Sequence, residues 1–441
     1  MIPTLSKDKF PKIPKKIQTY LKPFPDMLTT RFLGMDLYSA VFQRYTKMPM
    51  MWDIPRQEFI PCEDPGETRW YRGEDIFGMG IVAICYVTVL VQQFTRSDDS
   101  STPQVSLLSL ISFFSAAQVS MSVAVGAIGL RNNGTDLARG YNMMQILEDE
   151  LIQAYPHHDH RTRTQIYAFH FLTLYLTLYY IALPIFMLLA FLYMDIDPAV
   201  YILDMLFGPS QPRLLKSIIS HHVPILRHLP RLIARSGLMW VFGFGFSRLT
   251  GLIALAIVTI LKRTRHILLI ITRLNGKSYR KMTAMMHYNE LQLIYKNIAQ
   301  FQDPMAAGML SLGFSLHAFI TFILIQGYRV VPTGVYWMFV CVEVFNLAAI
   351  ANSIPFCVET NLISLKLRDD WKQLSNKLQR KRAIAMPAIS MNLSVGQFRL
   401  FRMTKSAKTK LYSGLVDFPV NMLLGYSRAD FEMSFTVRKQ N

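Results

Sequence analysis

The chain is 441 residues long, 51% hydrophobic and only 17% charged, with a positive mean hydropathy of +0.23. Soluble domains run nearer one quarter charged, so this balance argues against an ordinary soluble enzyme, and four cysteines are too few for a disulfide-built secreted scaffold. The net charge of +18 points to nucleic acid or to a membrane surface, and the placement of the charges decides between them.

The N-terminal stretch MIPTLSKDKFPKIPKKIQTYLKPFP is rich in Lys and Pro and lacks the apolar core of a signal peptide. The first membrane span is therefore expected to act as an uncleaved anchor. Within residues 27–45, Leu28, Phe32, Leu33, Leu37, Ala40 and Val41 recur near helical spacing and predict an amphipathic helix. The following MPMMWDIPRQEFIPCEDPGETRW is too polar and Pro-rich for a long one.

Six apolar runs follow: Ile76–Phe94, Val105–Leu130, Tyr167–Met194, Ser236–Leu261, Ala306–Gln326 and Pro332–Phe356. About 20 residues at 1.5 Å rise cross the hydrocarbon core, so each is long enough to span. Four contain no Asp, Glu, Lys or Arg; the other two hold one each, Arg248 and Glu343. A seventh stretch, Leu411–Tyr426, is shorter and contains Asp417 and Pro419. It spans only if protein or water shields it. Between the runs, Met282, Met285, Leu291, Ile294, Ile298 and Phe301 predict a helix continuing beyond the membrane. Leu362, Leu365, Trp371, Leu374 and Leu378 predict a second one, ended by Pro387.

With the N-terminus in the cytoplasm, 36 of the 47 Lys and Arg residues fall inside and 10 outside. The positive-inside rule favours that orientation. The basic surplus then faces anionic lipid, and nucleic acid drops out as a partner. The sequons Asn133-Gly134-Thr135 and Asn392-Leu393-Ser394 fall inside and are not expected to carry glycans.

The organisation expected is an all-α integral membrane protein. A cytoplasmic segment 1–75 leads into six spans over 76–356. A basic cytoplasmic segment 357–410, a short seventh helix 411–426 and a tail 427–441 follow. An intracellular N-terminus with seven spans inverts the G-protein-coupled receptor arrangement. No Asp-Arg-Tyr follows the third span, and no Asn-Pro-x-x-Tyr lies near the last.

Small residues four apart, Ser112, Ala116, Ser120 and Ala124 in the second span and Gly243, Ser247 and Gly251 in the fourth, predict close helix packing, chiefly within the chain. Arg248 lies in the outer half of the bilayer and Glu343 near mid-depth. Each costs at least about 2.5 kcal/mol unpaired there, so both are expected to face the bundle interior, as a mutual salt bridge or in a polar ligand cavity or ion pathway, the remaining alternative being that Arg248 snorkels. Tyr175 and Tyr179 share a helix face and are candidates to line a pocket for a small organic ligand. The loop 195–235, with five prolines, is expected to lie as a lid on the outer leaflet. His157, His158 and His160, and His221 with His222, read as solvated loop histidines, with no metal and no cofactor implied. No phosphate-binding glycine loop, His-Glu-x-x-His or Ser-centred elbow is present to suggest an enzyme.

The order of segments resembles the arthropod gustatory and odorant chemoreceptor superfamily over residues 27–426. The likeness is carried by YNELQLIYKNIAQFQD (Tyr288–Asp303) before the fifth span, by the MPMMWD segment, and by AIAMPAISMNLSVGQFRLFRMTKSAKTKLYSGLVDFPVNMLLGY leading into the short last helix. Gly425-Tyr426-Ser427-Arg428 stands where gustatory receptors carry Gln-Phe. The resemblance implies a plasma-membrane, tetrameric ligand-gated cation channel with a pocket in the outer half of each subunit and the last helix lining the pore. It implies Leu415, Val416, Asp417, Val420 and Leu424 as pore residues. The alternative is a transporter, or a receptor acting through a cytoplasmic partner.

Overall fold

The computed structural model describes residues 32–43, 47–62, 79–95, 107–156, 163–194, 225–276, 280–374, 376–395 and 398–425. Apart from Pro332, which caps its helix, every one of the seven apolar segments lies in a helix over its described part. The helices are α1 (Leu33–Tyr38), α2 (Met79–Thr95), α3 (Leu107–Ala154), α4 (Arg163–Met194), α5 (Ile225–Asn275), α6 (Lys281–Gln326), α7 (Thr333–Lys372), α8 (Lys377–Ala385) and α9 (Lys405–Gly425). Two antiparallel hairpins join them: β1 (Met50–Asp53) with β2 (Glu58–Pro61), and β3 (Asn392–Val395) with β4 (Phe398–Arg402). The strictly all-α expectation is corrected by these hairpins.

Among the described residues, four helices, α4 to α7, are long and apolar enough to cross a membrane. Of the most apolar stretch of α5, 83% is buried, against 39, 33 and 28% for the other three. It is the central helix, in contact with α1, α2, α3, α4, α6 and α7. The outward faces of α2 and α3 carry Ile81, Ile84, Val91, Phe114, Met121, Val125 and Ile128, all exposed. So large an apolar surface suits lipid and not water.

The small-residue stripe of the fourth span packs within the chain. A Cβ on Gly243 would stand 3.1 Å from the backbone of Pro184 in α4, and one on Gly251 would stand 3.2 Å from Tyr180 and Tyr38. Ser247 is buried between them. On α3, Ala116 and Ser120 are buried, and Ser120 Oγ donates to the Ala116 carbonyl.

Several helices outrun the membrane. Forty-eight residues at 1.5 Å each make α3 about 72 Å long. Its lower half packs on α6 so closely that a Cβ on Gly140 would fall 2.6 Å from Ile298. The predicted helix through Met282–Phe301 is the lower half of α6. The second predicted helix ends earlier than Pro387, at Lys372. Asn376 intervenes, its side chain accepting the amides of Leu378 and Gln379 and starting α8 afresh.

The described part of the amphipathic helix expected in residues 27–45 is buried and not a surface helix. α1 widens into a π-helical turn at Ser39–Gln43, and Met35, Asp36, Tyr38 and Phe42 are all buried. Thr177 of α4 donates to the Gly34 carbonyl at 2.9 Å. The β1–β2 hairpin docks on α3, where the Asn142 amide both accepts from Phe59 N and donates to Phe59 O. Beneath it, Arg263 pairs with Glu148 at 2.9 Å, and both are buried. Residues 225–235 of the expected outer lid begin α5 instead. The rest of that loop, and His157, His158, His160, His221 and His222, lie outside the described residues.

Candidate functional site

α4, α5, α6 and α7 do not close completely around one another. Between them and the β3–β4 hairpin lies an apolar cavity of about 150 Å³. Tyr179, Tyr180, Phe246 and Phe345 line one end, and Met391, Leu393, Met403 and Cys357 the other. The hairpin lies within the segment that the charge distribution predicts to be cytoplasmic, whereas the resemblance implied a pocket in the outer half. Asn346 supplies a polar group: its Nδ2 donates to the Gly313 carbonyl at 3.0 Å, leaving Oδ1 as an acceptor. An apolar cavity of this size takes one aromatic ring.

Tyr175 and Tyr179 do come together, through a residue the sequence reading missed. The Phe345 ring of α7 stacks on both, with centroids 4.3 and 5.2 Å away. Tyr179 faces the cavity and Tyr175 stands behind it. Alternate aromatic positions on α4 announced the face; nothing in α7 announced its partner.

Arg248 and Glu343 are both buried but form no salt bridge with each other. Arg248 is fully buried, with its guanidinium carbon 5.6 Å from the Phe244 ring, and its carbonyl accepts the Tyr38 hydroxyl. It does not line the cavity. Its guanidinium lies along its own helix over the ring of Phe244, whereas Glu343 faces α6. There the carboxylate meets His317 Nδ1, and Thr321 Oγ1 donates to the same oxygen at 3.3 Å. The second nitrogen of His317, Nε2, donates to the carbonyl of Leu415 in α9 at 2.7 Å. An imidazole inside the apolar run Ala306–Gln326 was the available signal. It goes unnoticed when only Asp, Glu, Lys and Arg are counted as ionisable.

α9 divides the five proposed pore residues. Leu415 is half-buried and, with Leu411, joins the cluster formed by Ile350, Ile354 and Met391 of the cavity wall. Val416, Val420 and Leu424, four apart, form an exposed stripe on the far side. Asp417 is exposed beside that stripe and accepts the Ser413 hydroxyl at 2.8 Å. Buried Pro419 lies on the packed side. The helix thus has one face against residues of the cavity wall and one apolar face with no partner among the described residues.

No protein-family model and no curated protein matches the sequence. Solved structures do match by fold. The insect olfactory receptor OR5 from Machilis hrabei, determined in complex with eugenol, superposes with a TM-score of 0.53. The match covers 92% of this chain and 100% of the receptor at 9% identity. A second structure of that receptor superposes at 0.51 with the same identity and coverage. The chain has the fold of the insect olfactory receptors, in line with the chemoreceptor resemblance carried by its segment order.

Proposed function

We propose that the chain is a multi-pass chemosensory receptor and the subunit of a ligand-gated cation channel. The observation that carries this reading is α9. Its inner face packs through Leu411 and Leu415 on Ile350, Ile354 and Met391, which form part of the wall of an apolar ligand-sized cavity, and its outer face leaves Val416, Val420 and Leu424 exposed. Four copies placed with these stripes toward one axis would line a pore, with Asp417 attracting cations. A small organic molecule in the cavity, contacting Tyr179 and Phe345, would shift the position of α9 and the open population. Solved with eugenol, the Machilis hrabei receptor supports a single-ring ligand class. The uneven distribution of Lys and Arg supports an inside N-terminus in a plasma membrane. The apolar runs of the sequence support seven spans, with 1–75 and 357–410 cytoplasmic, and four of those runs lie in described helices long and apolar enough to cross.

Patch-clamp recording from cells with the tagged chain at their surface tests this. Single-ring odorants and tastants are expected to evoke cation current, or the unliganded protein to leak, and Leu424→Trp to reduce either. Surface-expressed protein that carries no current and is a monomer by native mass spectrometry overturns the proposal.

A further inference from the structure

A proline inside a helix leaves the carbonyl four residues before it without an amide partner. In α9 the proline is Pro419, and the carbonyl is that of Leu415. That carbonyl accepts the hydrogen bond from His317 Nε2. A carbonyl oxygen only accepts, so Nε2 carries the hydrogen, and Nδ1 is turned to Glu343. Glu343 sits two residues before Phe345, which closes the aromatic end of the cavity. The imidazole is buried, at 6% exposure, as is Glu343. Water is therefore a poor substitute at either nitrogen.

We propose that His317 is a positioning residue that replaces the backbone hydrogen bond missing at Pro419. Through Glu343 it ties the last helix to the cavity wall on α7. Three helices meet at one side chain: α6 supplies the ring, α7 orients it, and α9 is held at the point where its own ladder is broken. A proline break is where a helix bends most readily, so the imidazole sets the angle of the Val416, Val420 and Leu424 stripe. The hydrogen-bond substitution stands on this packing alone; its consequence for gating rests on the channel reading above.

Amide hydrogen exchange on the purified full-length chain in detergent reads the substitution without any need for current. His317→Leu is expected to raise exchange in residues 411–425 by about tenfold, the equivalent of one lost buried hydrogen bond. Pro419→Ala returns an amide to position 419, so His317→Leu/Pro419→Ala is expected to regain most of the protection. His317→Gln, which keeps a donor near the position of Nε2, is expected to exchange like the unaltered chain. If His317→Leu does not fold, the double variant is expected to fold where the single one does not. Unchanged exchange in His317→Leu, or a double variant no better than the single, overturns the assignment. In a conducting protein, His317→Leu is expected to move the ligand concentration for half-maximal current and Pro419→Ala to restore it. Exchange that follows the expected pattern with unaltered gating removes only the coupling to the pore.

Discussion

Trp52 Nε1 donates to the carboxylate of Asp36 at 2.7 Å, and both residues are buried. This bond crosses from the β1–β2 hairpin to α1. Around it the indole meets Phe32, Phe59 and Tyr141 edge to face, with centroids 5.1 to 6.0 Å apart. The two segments are short, and neither has a core of its own, so each is held by the other, the hairpin also by α3 and α1 also by α4 and α5. Trp52→Phe keeps most of the ring packing and removes the donor, at a cost of about 1–3 kcal/mol. Trp52→Ala loses packing too and costs about 3–5 kcal/mol. Thermal unfolding in detergent should rank them in that order; a Trp52→Phe midpoint equal to that of the unaltered chain would assign no weight to the hydrogen bond.

Gly34 tests how tightly α1 is seated. A Cβ there would lie 2.6 Å from the carbonyl carbon and oxygen of Thr173. Backbone cannot swing aside as a side chain can, so Gly34→Ala must separate α1 from α4 and strain the Thr177 bond to the Gly34 carbonyl. The expected cost reaches or exceeds the roughly 1–3 kcal/mol of ordinary overpacking. Gly80→Ala is the control, since nothing lies within 4 Å of its Cβ position. The first variant is expected to lose monodispersity on size exclusion and the second to keep it.

Features written into local pattern were legible before the fold was known. Apolar runs between polar segments located the helices, and the spacing of Gly243, Ser247 and Gly251 marked the face that closes on α4 and α1. The hairpins went unread. Leu393, Val395, Phe398 and Leu400 flank Gly396-Gln397 in the pattern of a strand turn, but four- and five-residue strands carry little periodic signal beside basic residues. Partners distant in sequence left no pattern at all. Arg248 and Glu343 looked matched by charge and burial, yet rotation about the helix axis sends one toward Phe244 and the other toward His317. Phe345 likewise gave no sign that it would stack on Tyr175 and Tyr179.

The cavity can be filled from within. Ala349 lines it from α7 and is half-buried. Ala349→Phe places a ring in a space of about 150 Å³, which accepts it at little cost to the fold. A ligand at 100 times its Kd should raise the stability of the unaltered chain by about 2.7 kcal/mol. In Ala349→Phe that ligand-dependent rise is expected to vanish while the unliganded midpoint stays within a few degrees. A thermal shift preserved in the variant would place the ligand elsewhere.

The pair Arg263–Glu148 makes the strongest demand on its surroundings. Side-chain exposure is 2% and 4%, and Arg263 lies between the rings of Phe32 and Tyr141, at 5.0 and 4.9 Å. Gln145 Oε1 accepts from Nη2 at 3.1 Å, and His266 Nδ1 reaches the other oxygen of Glu148 at 2.8 Å. Removing one partner of a buried pair strands the other charge, at a cost of about 3–5 kcal/mol. Replacing both by apolar groups of similar volume is often neutral. Glu148→Leu is therefore expected to be severely destabilising, and Glu148→Leu/Arg263→Met much less so. The test is a double-mutant cycle on thermal unfolding in detergent, with a coupling of about 0.5–3 kcal/mol or more expected between such neighbours. Additive losses would mean that Arg263 is held by Gln145 and the two aromatic rings, with the carboxylate incidental to it.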